Sequence, residues 1–361
     1  MFYFLAPLKD FSMAFNLFKY ITFRSAGAAI SAFIICLWLG PVLIKWLTMI
    51  KITAFNQREY AQSIHKFFEH KDKVPTMGGL LIVASVVLSV LLWGNLTNRF
   101  IWILLLAVLW FGGVGFLDDW IKLRSKSSKG LTSMTKLFGQ IAMGLGIGLY
   151  LYFDPSFDKW LYLPLIKKGT LYLGVFFVPF VILVLVGSSN AVNLTDGLDG
   201  LAIGCTLFVS GAFAIIAYLV GRVDFSTYLS IPYVPEAGEI AVFCSALVGA
   251  SAGFLWFNCY PAQVMMGDTG SLAIGGALGS IAVLTKKEFI LAIVGGVFVW
   301  EALSVILQVA SFKWRKKRIF LMSPFHHHLQ LKGWPESKVT IRLWIIALLL
   351  AVAGLGVLKV R

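Results

Sequence analysis

Residues 100–117 read Phe-Ile-Trp-Ile-Leu-Leu-Leu-Ala-Val-Leu-Trp-Phe-Gly-Gly-Val-Gly-Phe-Leu and run straight into Asp118-Asp119-Trp120. This uncharged stretch approaches the roughly 20 residues that an α-helix needs to cross a hydrocarbon core of about 30 Å. It is continuous, whereas the strands of a transmembrane barrel alternate in polarity over about ten residues. The run therefore predicts a membrane helix that ends on two carboxylates. Ionisable groups at membrane depth are costly and usually line a water-filled functional cavity.

Comparable runs lie outward on both sides, near 26–46, 77–94, 137–153 and 170–188, then near 201–220, 240–257, 269–285, 289–311 and 342–358. Together they predict an all-α polytopic membrane protein with about ten transmembrane helices, the eighth run being among the shortest and the ninth interrupted only by Glu301. Composition agrees, since 59% of the 361 residues are hydrophobic and 13% charged, against about a quarter charged in soluble domains. A lipid bilayer must cover much of this surface. Residues 1–25 are aromatic but carry Lys9, Asp10, Lys19 and Arg24, which suits an interfacial segment and not a cleaved signal peptide. Repeats, low-complexity tracts and linkers are absent from the sequence, so residues 1–361 are read as one domain.

Of the 31 Lys and Arg, 19 fall in the loops near 45–76, 118–136, 188–200, 258–268 and 312–342. The positive-inside rule places these five loops in the cytoplasm and both termini on the periplasmic side of a bacterial inner membrane. The net charge of +14 fits an anionic lipid surface; the basic polar face of a nucleic-acid-binding protein is lacking. The cluster Lys313, Arg315, Lys316, Lys317 and Arg318 is read as a topology anchor. Cys36, Cys205, Cys244 and Cys259 include no close-spaced pair of the metal or redox kind and are read as packing residues. Gly144 with Gly148, Gly249 with Gly253 and Gly275 with Gly279 have the spacing that lets membrane helices approach closely.

The acidic residues carry the chemistry. Asp118, Asp119, Asp196, Asp199 and Asp268 all sit at helix ends on the predicted cytoplasmic side. Carboxylates converging there repel one another unless a cation lies between them, and a hard metal ion with oxygen ligands is the natural choice. The Asp118-Asp119 pair is followed by Lys122, Arg124, Lys126, Lys129 and Lys136, the mixture of acid and base that a magnesium-bound phosphate requires. In residues 190–200, Asn190, Asn193, Asp196 and Asp199 recur at every third position and would share one face of a helix. Asp268, between Gly267 and Thr269 at the mouth of the eighth helix, suits a metal, beside N–H groups that favour phosphate. His326, His327 and His328 cannot all face one zinc, because neighbouring residues point about 100° or 180° apart; imidazoles donating to phosphate oxygens are easier to accommodate.

These loops bear a resemblance carried by Val74-Pro-Thr-Met-Gly-Gly79, Leu117-Asp-Asp119, Asn193-Leu-Thr-Asp-Gly-Leu-Asp-Gly200, Met266-Gly-Asp-Thr-Gly-Ser271, and His326-His-His328 with Leu331-Lys-Gly-Trp-Pro-Glu336. The sequence resembles the phospho-N-acetylmuramoyl-pentapeptide transferases, within the polyprenyl-phosphate N-acetylhexosamine 1-phosphate transferase superfamily, over nearly its whole length. The resemblance implies transfer of phospho-N-acetylmuramoyl-pentapeptide from its UDP carrier to undecaprenyl phosphate, giving lipid I and UMP in peptidoglycan synthesis. It implies Mg²⁺ as cofactor, with Asp268 as its ligand, and Asp118 and Asp119 either as further ligands or as groups that position or deprotonate the lipid phosphate. It further implies Asp196 as a catalytic aspartate, with Lys136, His326, His327 and His328 near the diphosphate. Lys71, Gly197, Leu198, Asp199 and Asn258 match its nucleoside pocket, and Met265 stands where the family usually carries Phe. Homodimers are the family's habit. Two other readings are a sister transferase that moves N-acetylglucosamine 1-phosphate, opposed by the histidine segment, and an ion-coupled secondary transporter. The latter should place its carboxylates near helix midpoints.

Overall fold

The structure is a computed structural model that describes residues 1–10, 12–50, 74–125, 130–164, 166 and 169–359. Two 3₁₀ segments, Phe2–Asp10 and Met13–Lys19, lead into α1 (Ile21–Met49), followed by α2 (Gly79–Trp93), α3 (Arg99–Ser125) and α4 (Ser133–Phe153). A hairpin of β1 (Trp160–Tyr162) and antiparallel β2 (Thr170–Tyr172) precedes α5 (Phe177–Thr195), α6 (Leu201–Val220), the short α7 (Val223–Leu229) and α8 (Ile240–Asn258). Then come α9 (Gly267–Leu284), α10 (Glu288–Val294), α11 (Gly296–Arg315), α12 (Phe325–Leu331) and α13 (Glu336–Val357).

Among the described residues, nine helices are long and apolar enough to cross a membrane, and α2 is a shorter apolar helix of 15 residues. The protein is thus an all-α polytopic membrane protein with one small hairpin. Helix α1 begins at Ile21, within the segment over 1–25 expected at the interface; Arg24 is buried within it and pairs with Glu239 at 2.5 Å. Two expectations are corrected. The run expected as a helix over 170–188 starts as strand and 3₁₀ turn, the helix proper beginning at Phe177. The run over 289–311 is two helices divided at Gly295. Cys36, Cys205 and Cys244 are buried as expected of packing residues, but Cys259 is exposed.

Helix α9 is the axis of the bundle. Every residue from Thr269 to Leu284 is buried, and α2, α3 and α5 pack around it. Its glycines, alanines and serines make this possible, since small side chains let neighbouring backbones approach. Gly275 faces the backbone of Ser188 and Ser189, and Gly279 faces Ser188 and Leu185. Gly144 and Gly148 meet α5 at Ile182 and Val178, and Gly249 and Gly253 meet α1 at Ala29 and Cys36. All three predicted glycine pairs therefore lie at helix crossings.

Candidate active site

The ends of α3, α5 and α8 and the starts of α4, α9 and α13 converge, and the polar residues of the sequence motifs meet there. Construction starts at Gly267, whose φ of 74° is a left-handed turn favouring glycine. It delivers Asp268 to the first turn of α9, where backbone N–H groups lack partners within the helix. Asp119, from α3, supplies them. Its Oδ1 accepts from the Asp268 N–H at 3.3 Å, and its Oδ2 accepts from the Thr269 N–H at 2.9 Å and the Thr269 hydroxyl at 2.7 Å. A carboxylate from one helix thus caps another, at the end where the helix dipole favours negative charge. The Pro-Thr-Met-Gly-Gly segment holds the other side: the Met265 N–H donates to Pro75 O at 2.8 Å, and the Gly78 and Gly79 N–H groups donate to Met265 O at 2.9 Å and Met266 O at 2.8 Å.

Asp118, one residue earlier and so about 100° around α3, faces a different set of groups. It accepts from the Leu131 N–H at 2.8 Å and lies 2.5 Å from Lys122 Nζ and 3.5 Å from Lys136 Nζ. Asp268 shares both lysines. Its Oδ2 receives Lys122 and Lys136, each at 2.8 Å, and its Oδ1 receives the Asn193 amide at 2.6 Å. Ligand atoms from Asp118, Asp119 and Asp268 all lie within 4.8 Å of one another. Three carboxylates and two ammonium groups are therefore compressed into one cluster, with Asp118 and Asp119 buried and Asp268 half-buried. The donors are all carboxylate oxygens, which suits a hard divalent cation. Asp119 is committed to the α9 backbone, whereas Asp118 and Asp268 are held largely by Lys122 and Lys136, long side chains that can move to phosphate oxygens and leave the carboxylates to a cation.

The other predicted residues divide by geometry. Asp196 closes α5 as its C-cap. Gly197 lies directly against the ring of His326, and Leu198 is buried. Asp199 Oδ2 accepts from the Ala262 N–H at 3.0 Å, while the Asp199 N–H donates to Glu336 Oε1 at 2.8 Å. Asn258 Oδ1 accepts from the Gly200 N–H at 3.1 Å, and its amide donates to Val264 O at 2.7 Å. The Asp199 and Asn258 side chains tie two loops together, and the Glu336 side chain joins the start of α13 to them. Lys71 lies outside the described residues.

The three histidines diverge, as successive residues of a helix must. His326 is fully buried, its Nδ1 3.2 Å from Glu301 Oε2. His327 Nδ1 pairs with Gln330 Oε1 at 2.9 Å. His328 Nδ1 accepts from the Leu321 N–H at 3.1 Å; burial and the Lys332 ammonium lower its pKa below the ordinary histidine value, which favours the neutral ring this bond requires. His326 is set against the Asn193–Gly200 loop at Gly197. Sequence reasoning placed Lys122 and Asn193 in motifs without an individual role, and gave Glu301 and Glu336 no site role. Lys122 follows Asp118 by one helical turn and Asn193 opens a quoted motif, so both had a signal; the pairings of Glu301 and Glu336 are long-range and had none.

Acidic and basic side chains held together at one end of a polytopic helical bundle define a membrane transferase acting on phosphate, and residues 101–286 match the family described as Glycosyl transferase family 4. The chain is 49% identical to the phospho-N-acetylmuramoyl-pentapeptide-transferase of Citrifermentans bemidjiense over 361 residues, covering 100% of both chains. It is 51% identical to that of Desulfotalea psychrophila over 363 residues, again 100% of both, and 48% identical to that of Thermodesulfovibrio yellowstonii over 360 residues, 99% of both. The chain belongs to the phospho-N-acetylmuramoyl-pentapeptide transferase family.

Proposed function

We propose that the chain transfers phospho-N-acetylmuramoyl-pentapeptide from UDP-N-acetylmuramoyl-pentapeptide to undecaprenyl phosphate, releasing UMP and forming lipid I. The observation that carries this reading is the Asp118, Asp119 and Asp268 cluster, bridged by Lys122 and Lys136 at the end of a membrane bundle. Both substrates are phosphates, and developing negative charge is stabilised by donors already aimed at it. Asp268, with Asp118, would hold Mg²⁺. Bound there, the metal would neutralise diphosphate charge and ease departure of UMP.

The side chains account for the rest. In the proposed step, an oxygen of the lipid phosphate forms a new bond to the sugar-bearing phosphorus as the bond from that phosphorus to the UMP oxygen breaks. UMP leaves with the electron pair. The attacking phosphate is already anionic near neutral pH, so direct attack needs no dedicated base. Lys122 and Lys136 donate to phosphate oxygens, and His326 lies beside the loop bearing Asp196. For the lipid acceptor, a cavity of about 200 Å³ opens between α5, α9 and the α10–α11 break, lined by Leu183, Val184, Val192, Leu278, Leu291 and Phe298. In this reading the site faces the cytoplasm, ten helices cross a bacterial inner membrane with both termini periplasmic, and the chain pairs as a homodimer.

Gly197, Leu198, Asp199, Asn258 and Met265 form the uridine side in this reading, and the resemblance adds Lys71, which lies outside the described residues. Met265 is pinned by two backbone hydrogen bonds, so Met265→Phe changes only what its half-buried side chain offers. We expect UMP affinity to be retained or to rise up to about tenfold, an aromatic pair being worth about 0.5–1.5 kcal/mol. Isothermal titration of UMP checks this, and a large loss would remove Met265 from the pocket.

The deciding experiment is UMP release by the purified chain in detergent with undecaprenyl phosphate and Mg²⁺, offering UDP-N-acetylmuramoyl-pentapeptide or UDP-N-acetylglucosamine. Release with the muramoyl nucleotide alone, lost on chelation, is expected. Release with the glucosamine nucleotide alone would move the chain to the sister activity. Silence with both, from folded protein, would reject a transferase.

A further inference from the structure

Glu301 is the acidic side chain lodged deep in α11, and it is fully buried. A buried carboxylate is destabilising unless its partners are well placed. Here one oxygen, Oε2, takes both contacts: His326 Nδ1 lies 3.2 Å away, and the His326 backbone N–H donates to it at 3.3 Å. The carboxylate thus holds the histidine main chain by a hydrogen bond and lies close to its ring. Glu301 Oε1 and both ring nitrogens of His326 have no hydrogen-bond partner among the described residues, so the Nδ1 contact with Oε2 is one of proximity at 3.2 Å and the backbone N–H makes the hydrogen bond. Nε2 points at Gly197, where a methyl group would overlap it. Gly197 belongs to the same loop as Asn193, whose amide holds Asp268.

From this geometry we propose that Glu301 is a positioning residue for His326. A carboxylate oxygen 3.2 Å from Nδ1 repels a bare nitrogen lone pair and attracts an N–H, so in this reading Nδ1 carries the proton while Nε2 is turned toward the loop. With the Glu301 charge behind it, the ring keeps its Nε2 edge against the Gly197 turn and so supports the loop that carries Asp196 and Asp199. A carboxylate behind a histidine fixes tautomer and orientation in the same manner at other polar sites. The inference rests on the transferase reading of this site, and it gives a function to an acid deep in a helix that the sequence leaves without a role.

The test is steady-state kinetics of Glu301→Gln, Glu301→Asp, His326→Ala and the Glu301→Gln/His326→Ala double variant, each with a thermal melt in detergent. Glu301→Gln keeps the shape and an acceptor oxygen but not the charge. It should lower kcat about 10- to 100-fold, with KM for the nucleotide within about twofold and an unchanged melting midpoint; Glu301→Asp should recover part of the loss. The double variant should be no slower than His326→Ala, because both changes act through one ring. Wild-type kcat in Glu301→Gln, or multiplied losses in the double variant, would overturn the proposal.

Should Glu301→Gln fail to fold, ¹⁵N-histidine NMR of the wild-type chain, with the His326 signals assigned by their loss in His326→Ala, still decides. A ring protonated at Nδ1 and bare at Nε2 at high pH is expected; the opposite tautomer would refute the geometry. Wild-type turnover with the muramoyl nucleotide is the control that separates failure of this inference from failure of the transferase reading.

Discussion

Asp268→Ala is expected to lower UMP release by at least about 10³-fold, the scale set by loss of a main electrostatic element of a transition state, while the protein stays folded. The two halves of this expectation have separate causes. Catalytically, Asp268 is where Lys122, Lys136 and Asn193 converge. Without its carboxylate two ammonium groups face Asp118 with the central anion gone, and a divalent cation loses its most accessible ligand. Structurally, the first N–H groups of α9 are held by Asp119, not by Asp268, so the helix keeps its cap. Turnover assays with a thermal melt check both halves, and a Mg²⁺ titration of the residual activity should saturate at higher concentration than in wild type. Normal turnover in this variant would remove the proposed metal ligand.

That separation of roles between neighbouring aspartates was not legible in the sequence. Asp118 and Asp119 are adjacent, and composition gives both the same chemistry; only the position of α9 shows that one faces lysines and the other a helix terminus. The membrane architecture was far more legible, because a long uncharged run has few alternatives to a spanning helix. Legibility failed where composition and burial diverge. The eighth run, rich in Gly, Ala and Ser, has a weak hydropathy signal, yet as α9 it is the most enclosed helix of the bundle, since small side chains suit packing against protein more than against lipid. The break at Gly295 and the strand at Thr170–Tyr172 were hidden because both lie within or beside uncharged runs, where a few less apolar residues do not interrupt the pattern.

The histidine segment and Glu301 mark a different limit. Local spacing shows that three successive imidazoles must diverge, but the partner of each is fixed by tertiary contacts. Glu301 precedes His326 by 25 positions, and no period or motif connects them. Asn193 sits between these cases: its motif was visible and its exact bond was not.

Gly115→Ala should have the second large effect, a loss of turnover of about 10²-fold or more with a smaller loss of stability. A methyl group on Gly115 would overlap the carbonyl of Asp268 and lie 2.7 Å from the Thr269 Cα. Both are backbone of α9, so no side chain can rotate away. The helices must separate by some tenths of an ångström to an ångström, and displacements of that size at a reacting centre cost about 10²-fold. The separation stretches the hydrogen bonds from Asp268 and Thr269 to Asp119 and draws Asp268 away from Asp118, so the cluster loosens although every one of its side chains remains. Overpacking of this kind typically costs about 1–3 kcal/mol, which a melt in detergent should register as a modest fall in midpoint. Gly113, on the same helix with open space around its Cα, supplies the comparison: Gly113→Ala should leave both quantities near wild type. Equal effects of the two substitutions would show that α3 is sensitive to alanine as such, and that the close approach at Asp268 does not set the geometry of the site.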